Sequence, residues 1–597
     1  MKTRPAWHLD FDNAIAAVAP QRRAYPLRPW ICLGLLVACL IPRAIMAWRT
    51  DVICEDGPFY IMAAQYLQRG ELSEAFAAGN FRLNVYPILL AWFHAFDWDW
   101  VSVGKWVSVA AAVLAVLPMF GWVRRQFNDP IATLTCLIYA SHPALIERSP
   151  EVLRCPTYWL LLMLTLYLLW RAVIEVRIVL FVLAGLAVAL AVHTRVEGWF
   201  VLVPWALWSA MRFVSLGCQR WRLALGSALF AAMIPAFIVA VNLTWLKNHP
   251  QWEFCFSYRL AVIQAAWERI APAENQAEQP TSAFAPATQQ SVATGAPTPI
   301  APPSLPAPTA APTSDSAPLT IPAIAVAPLM PQLDPALRAD RMAWNYARKL
   351  VDSFGIACGL LSLVGLACYG NVLLRRDQLA VFCMSLTTFA AIAAQQWRMG
   401  EVIGRYFFPI LLVTLPYIAL GLYEVAQRLA RTLQRAAASL GANPHKVMAV
   451  LLLVVAAIGC TDALTNSFEP RRQRRDLGNW LRTQIGPNQR IMGTGSRELT
   501  LMYYSQGRYS PLRAEDVDAS WFRHAMSVDP VGVVVLFKQK AEQSIRLAER
   551  LQTAGAQFPY RYQAVAADGL PASCRNITVL VPAPTAERLA LKPAESR

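Results

Sequence analysis

The chain has 597 residues, of which 56% are hydrophobic and only 15% charged, with 21 tryptophans and a formal net charge of +16. A mean hydropathy of +0.36 excludes an ordinary soluble protein, whose surface needs far more charge, and repeated apolar runs of roughly 17–23 residues indicate a polytopic membrane protein. No basic stripe with interleaved aromatics accompanies the positive charge, so no nucleic-acid partner is expected and the excess is assigned to cytoplasmic loops.

A polar, basic N-terminal tail (1–29) comes first. Spans are predicted near 30–48, 101–120, 131–146, 157–173, 177–193, 198–211, 223–246, 352–374, 378–396, 405–424 and 447–462. The first run lacks a small-residue cleavage site and is expected to remain as an anchor. About eleven crossings from a cytoplasmic N-terminus put the arginine-rich loops inside, among them Arg124, Arg125, Arg171, Arg177, Arg375, Arg376 and Arg428. Glu55, Asp56, Asp97, Asp99, Glu147 and Glu151 then fall outside.

The expected organisation is a membrane module at 30–271 with a long first outer loop at 49–100, then a Pro-, Ala-, Thr- and Ser-rich insert at 272–336. That insert, which contains TGAPTPIAPPSLPAPTAAPTSDSAP, cannot bury enough apolar surface to order itself. Further membrane helices follow at 337–462, and 463–597 has globular composition. There RIMGTG, VGVVVLF and NITVLVP read as strands, while SRELTLMYY, DASWFRHAM and KAEQSIRLAERLQTAG read as helices, giving a small outer α/β domain. GTGS, from Gly493 to Ser496, matches no phosphate-binding fingerprint and reads as a strand-to-helix turn. RRQRR at 471–475 fits either a lipid-headgroup contact or a solvated helix face. None of the 12 cysteines falls in a metal-ligand spacing. Cys54, Cys255 and Cys574 fall on the outer side and leave a disulfide open.

The first outer loop holds VICEDGPFYIMAAQYLQRG, from Val52 to Gly70. Asp56, Tyr60, Ala64, Leu67 and Gly70 share one face of a short helix, with Pro58 in its first turn. Asp56 can be that helix's cap or a chemical group; both readings stay open. A second amphipathic segment, RLNVYPILLAWFHAF, runs from Arg82 to Phe96. A divalent ion shared by Asp51, Glu55 and Asp56 is the one metal site worth considering, and no cofactor is expected.

An arginine ending the first span (Arg43), an acidic motif followed by Tyr60, and a Tyr-Pro segment at Tyr86 together resemble the GT-C membrane glycosyltransferases. The resemblance is to the protein O-mannosyltransferases of glycosyltransferase family 39 and the bacterial aminoarabinose and lipopolysaccharide-core transferases. SPEVLRCPTYW (Ser149 to Trp159), HTRVEGWF (His193 to Phe200) and GRYFFPILL (Gly404 to Leu412) fit the same pattern, and all lie on the predicted outer face. The resemblance implies transfer of a sugar from a polyprenyl-phosphate donor to a lipid, glycan or protein acceptor, with inversion, at the outer face of a bacterial plasma membrane. It casts Asp56, with Glu55 as alternate, as the general base. Arg405, Arg195, Arg154 and Arg82 become phosphate contacts, with Tyr60 and Tyr86 at the donor site. Glu151 and Glu197 are placed at the acceptor, although Glu197 can equally pair with Arg195, and Glu151 can equally be a solvated loop acid.

Three positions depart from the pattern. The acids read Glu-Asp rather than Asp-Glu, Asn84-Val85-Tyr86 lacks the lysine that precedes the proline in relatives, and Cys155 stands where an acid is common. Competing readings are a transporter or flippase for a lipid-linked substrate, or a non-catalytic subunit of polysaccharide assembly.

Overall fold

The computed structural model describes residues 29–244, 335–511, 532–537 and 562–589, less short breaks within them. The expected insert at 272–336 therefore lies almost wholly outside the described residues, as do DASWFRHAM, KAEQSIRLAERLQTAG and most of GTGS.

The chain opens with α1 (Pro29–Arg49), α2 (Gly57–Arg69), α3 (Val85–His94), α4 (Trp100–Leu114), α5 (Val116–Gln126), α6 (Asp129–Ser141) and α7 (Pro143–Arg148). It continues with α8 (Cys155–Glu175), α9 (Ile178–Thr194), a 3₁₀ turn (Val196–Val201), α10 (Leu202–Ser215) and α11 (Arg220–Thr244). After the undescribed stretch come α12 (Pro335–Phe354), α13 (Ile356–Leu373), α14 (Arg376–Met399), a 3₁₀ turn (Gly404–Phe407), α15 (Phe408–Ala436) and α16 (Pro444–Thr465).

Every predicted span carries helix, but not every one reaches membrane-crossing length. Among the described residues seven helices are long and apolar enough to cross a membrane, and a bent pair raises this to eight. The bend of 90° separates Ala343–Phe354 from Ile356–Val372 at Gly355, whose φ is +71°. Three predicted spans are too short to stand among those helices, α6 at 13 residues against the expected 131–146, and α9 at 17 and α10 at 14, both as long as expected. α6 stops because His142 adopts extended backbone ahead of Pro143, which disfavours helical geometry in the residue before it. Trp30 and Trp48, 77% and 85% exposed, mark the two ends of α1; eighteen residues of helix separate them by about 27 Å, the depth of a hydrocarbon layer.

The interior of the bundle is continuous and apolar, drawing on α1, α4 to α9 and α15. α13 and α15 cross at Gly365 and Gly421, where an added Cβ would fall 2.0 Å from the Tyr417 carbonyl and 1.9 Å from that of Leu361, so only glycine permits that approach. The fully buried Arg43 of α1 is satisfied by oxygen acceptors. Its guanidinium donates to Ser149 Oγ at 3.0 Å, to the carbonyls of Cys39 at 3.1 Å and Ala140 at 3.0 Å, and to that of Tyr139 at 3.0 Å. Two of those carbonyls close α6, so the cation meets the negative end of that helix.

The C-terminal region begins with α17 (Glu469–Gln484) and contains β1 (Arg490–Gly493), α18 (Leu499–Ser505), β2 (Arg508–Pro511), β3 (Val533–Phe537), β4 (Tyr562–Ala564) and β5 (Ile577–Pro582). The five strands lie in the order β2-β1-β3-β5-β4, parallel around β1 and antiparallel around β5. Leu477 and Leu481 of α17 pack against Ile491, Val533, Val535, Val579 and Val581. The three expected strands are present, and β2 and β4 add two more. Of the three cysteines between which the sequence leaves a disulfide open, Cys255 lies outside the described residues and Cys54 and Cys574 are free thiols, each sulfur facing a backbone carbonyl, that of Val152 for Cys54 and that of Gln473 for Cys574.

Candidate active site

The acidic motif sits in a tight turn leading into α2. Gly57 N–H donates to the Cys54 carbonyl at 3.0 Å, and Pro58 occupies the first helical turn. A Cβ on Gly57 would lie 3.3 Å from both Ile53 Cβ and Val152 Cβ, so the turn is pressed against the loop that begins α8. Asp56 stands at the cap position, yet its side chain accepts no capping hydrogen bond. Its Oδ2 instead lies 2.6 Å from Arg405 Nη1. The simple N-cap reading thus gives way to a long-range ion pair, with side chains 31% and 20% exposed. Glu55 is exposed and lies near enough to Glu498 to oppose its ionisation.

Arg405 projects from the 3₁₀ turn before α15. The turn is fixed by the Ser353 hydroxyl, which donates to the Gly404 carbonyl at 2.8 Å, and by buried Phe407, whose ring meets Tyr346 edge-on at 5.0 Å. Arg405 is also within electrostatic range of Cys155, Arg195 and Tyr60. Arg154, at the cap position of α8, is part exposed and holds its guanidinium 6.0 Å from the Tyr60 ring centre; among the described residues no carboxylate pairs with it directly. Burial pushes the Tyr60 hydroxyl up to about 12, with Arg154 pulling the other way, so this phenol stays a neutral donor at physiological pH.

Arg195 is engaged on every side. Its Nε donates to Glu197 Oε2 at 3.2 Å, its Nη2 meets Glu197 Oε1, and its Nη1 donates to Cys155 Sγ at 2.9 Å. The Tyr406 ring lies 5.5 Å away. Burial would raise the Glu197 carboxyl, but Arg195 outweighs it and the net shift is downward. The sulfur of Cys155 therefore fills, as an acceptor for Arg195, the place where an acid is common in the family that the sequence resembles. His193 is buried, with Nδ1 2.7 Å from the Ala189 carbonyl, as a structural residue would be.

Three expected contacts are already occupied. Tyr86 is fully buried; its hydroxyl donates to the Gly104 carbonyl at 3.0 Å, and its ring meets that of Tyr60 edge-on at 5.3 Å, so it supports Tyr60 from behind. Glu197 is held by Arg195. Glu151, with no exposed side-chain surface, lies 3.1 Å from Arg148 Nη1 and 2.7 Å from Arg471 Nη1, which closes it to an acceptor. Arg82 and Asp51 lie outside the described residues. Among the described residues no group of three His, Cys, Asp or Glu side chains gathers in a metal-like cluster. Arg148 and Arg471 were not singled out as site residues from sequence: RRQRR was visible as a charge run, but its partner is 320 positions away.

No protein-family model matches the sequence, and a search of curated proteins finds no match. Solved structures do match. ArnT from Cupriavidus metallidurans bound to undecaprenyl phosphate aligns with 93% of this chain and 98% of its own, at 12% identity and a TM-score of 0.52. The apo oligosaccharyltransferase of Archaeoglobus fulgidus aligns over 86% of this chain and 70% of its own, at 13% identity and a TM-score of 0.46. The likeness to ArnT, which extends over nearly both chains, shows that this polytopic helical protein with its small C-terminal sheet has the GT-C fold that its motifs resemble.

Proposed function

We propose that this chain is a polyprenyl-phosphate-dependent glycosyltransferase that inverts configuration and works on the outer, periplasmic face of a bacterial plasma membrane. Its acceptor is a hydroxyl or amine on a lipid, glycan or protein. The observation that carries the reading is the part-exposed Asp56–Arg405 pair with Arg154 and Tyr60 beside it, because a base and a phosphate-binding cation then share one opening.

In the transfer, the acceptor oxygen or nitrogen bonds to the anomeric carbon as the bond from that carbon to the phosphate oxygen breaks. Asp56 takes the acceptor's proton, and the electron pair of the broken bond leaves on the lipid phosphate. Arg405 and Arg154 neutralise that phosphate, Arg405 through its planar fork. Attack from the side opposite the phosphate inverts the carbon. The donor phosphate takes Arg405 from Asp56 and leaves the carboxylate facing the acceptor. Arg195, saturated by Glu197 and Cys155, contributes its field rather than a direct bond. The cations in this reading are arginines, and no resident cofactor is proposed. The ArnT neighbour was solved with undecaprenyl phosphate, which makes that lipid the carrier to try first.

Membranes containing the full chain should transfer labelled sugar from an undecaprenyl-phosphate donor to an endogenous acceptor. Asp56→Asn should lose about 10²–10⁴-fold of that rate with unchanged membrane insertion. A fully active Asp56→Asn protein refutes the assignment. Label crossing the bilayer without transfer would instead favour the transporter reading.

A further inference from the structure

Gln378 bonds to Gln126 and to Tyr417 in a packed interior, and the Arg195–Glu197–Cys155 group belongs to the site above. The contact between α17 and the loop before α8 goes further. We infer that Arg471 is a positioning residue: by holding Glu151 it fixes the turn that carries Asp56, so the C-terminal region sets the geometry of the site. This inference rests on the reading of Asp56 as the base.

The path is continuous. Arg471 Nη1 lies 2.7 Å from Glu151 Oε1, and Arg148 Nη1 lies 3.1 Å from Glu151 Oε2, so a carboxylate with no exposed surface bridges α17 and α7. Val152, the next residue, is itself buried. Its carbonyl accepts from Cys54 Sγ at 3.4 Å, and its Cβ is 3.3 Å from where a Cβ on Gly57 would be. Asp56 lies between those two contacts. A second brace comes from α18, where the Tyr504 hydroxyl accepts from Ile53 N–H at 3.4 Å. Tyr503 and Tyr504 also pack on the cluster of Ile53, Ile61, Tyr86 and Val152. The base of that helix is tied to α17 by the ion pair of Arg474 with Glu498. Thus both sides of the Val52–Gly57 turn rest on the C-terminal region, and the Asp56–Arg405 distance depends on it.

Arg471→Ala leaves Glu151 sealed with a single cation, so the loop must shift or Glu151 must take a proton. Two measurements on the full-length protein in lipid nanodiscs test the inference. The first is hydrogen exchange at the peptide covering 52–57, expected to speed up at least about fivefold in Arg471→Ala and to return most of the way in Arg471→Lys. The second is steady-state transfer, expected to lose about tenfold or more in kcat, while affinity for undecaprenyl phosphate stays within about twofold. Unchanged exchange at 52–57 overturns the positioning role whether or not the protein transfers sugar. Faster exchange with wild-type kcat also overturns it. Absence of transfer in the wild type, with faster exchange in Arg471→Ala, instead removes the glycosyltransferase reading and leaves the brace. Should Arg471→Ala fail to fold, Glu151→Gln gives the same two readouts, and wild-type exchange and kcat in that variant would overturn the proposal.

Discussion

Two carboxylate–arginine sites lie within one loop's width of each other, and they differ in two respects that decide what each can do. Asp56 and Arg405 face each other one-to-one and remain partly open, at 31% and 20% exposure. Glu151 has two arginines and no exposure at all. An open pair can exchange partners with a ligand at small desolvation cost, whereas a sealed one can only hold structure. Charge and motif made both acids site candidates; burial and partner number separate them.

The comparison can be broken most decisively by exchanging the two losses. Asp56→Asn should remove about 10²–10⁴-fold of transfer and leave thermal stability nearly unchanged. Glu151→Ala should cost about 3–5 kcal/mol of stability by stranding two buried cations, read by thermal unfolding in nanodiscs. If Glu151→Ala proves stable and selectively loses acceptor affinity, the sealed site is an acceptor site after all. Arg405→Lys keeps the charge but loses the fork; binding of undecaprenyl phosphate should weaken about tenfold by titration. Tyr86→Phe should cost about 1 kcal/mol with unchanged affinity for the same lipid, and a clear drop in that affinity would return Tyr86 to the donor site.

The smallest effect is in acid. Burial alone would raise the Glu151 carboxyl, but Arg148 and Arg471 overcome it and hold it below its ordinary 4.5. A depressed carboxyl stabilises the fold at every pH above its unfolded value, and that contribution fades only as pH falls through the lower folded value. Unfolding followed from pH 7 downward should therefore show the Glu151 contribution intact to about pH 4.5 and declining below it. Loss between pH 7 and 5 would contradict the two-arginine clamp. Glu498 has the opposite sign: burial outweighs Arg474 and raises its carboxyl, so its protonation relieves a penalty as pH falls.

Much of the layout was legible from sequence because its determinants are local. Apolar run length marked helices, loop arginines suggested sidedness, and turn residues such as Pro58 marked where α2 begins. The four motifs that the structure brings together, around Asp56, Arg154, Arg195 and Arg405, could be assigned to one face because each lies in the first outer loop or at the end of a predicted span. What sequence left open was pairing over distance. Whether Asp56 capped its helix or met Arg405 depends on a residue 349 positions away, and RRQRR had no readable partner until α17 was placed beside Glu151. The early end of α6 was missed for a different reason: hydropathy averages over a window and does not register that Pro143 ends the helix. β2 and β4 were missed because Arg508–Pro511 and Tyr562–Ala564 are too short and polar for a periodic signal.

Arg43 carries a consequence for how the chain is made. Within α1 it has one acceptor, the Cys39 carbonyl. The others lie on residues translated 96, 97 and 106 positions later. During synthesis the first span therefore waits in the bilayer with most of its guanidinium donors unpaired, at a cost of up to about 2.5–3.5 kcal/mol, until α6 and Ser149 arrive beside it. Assembly of α1 against α6 is thus ordered in time by one side chain. Force measurements on the stalled nascent chain should show a pull as residues 139–149 enter the membrane, and Arg43→Leu should abolish it. A pull of equal size in that variant would assign the event to apolar packing alone.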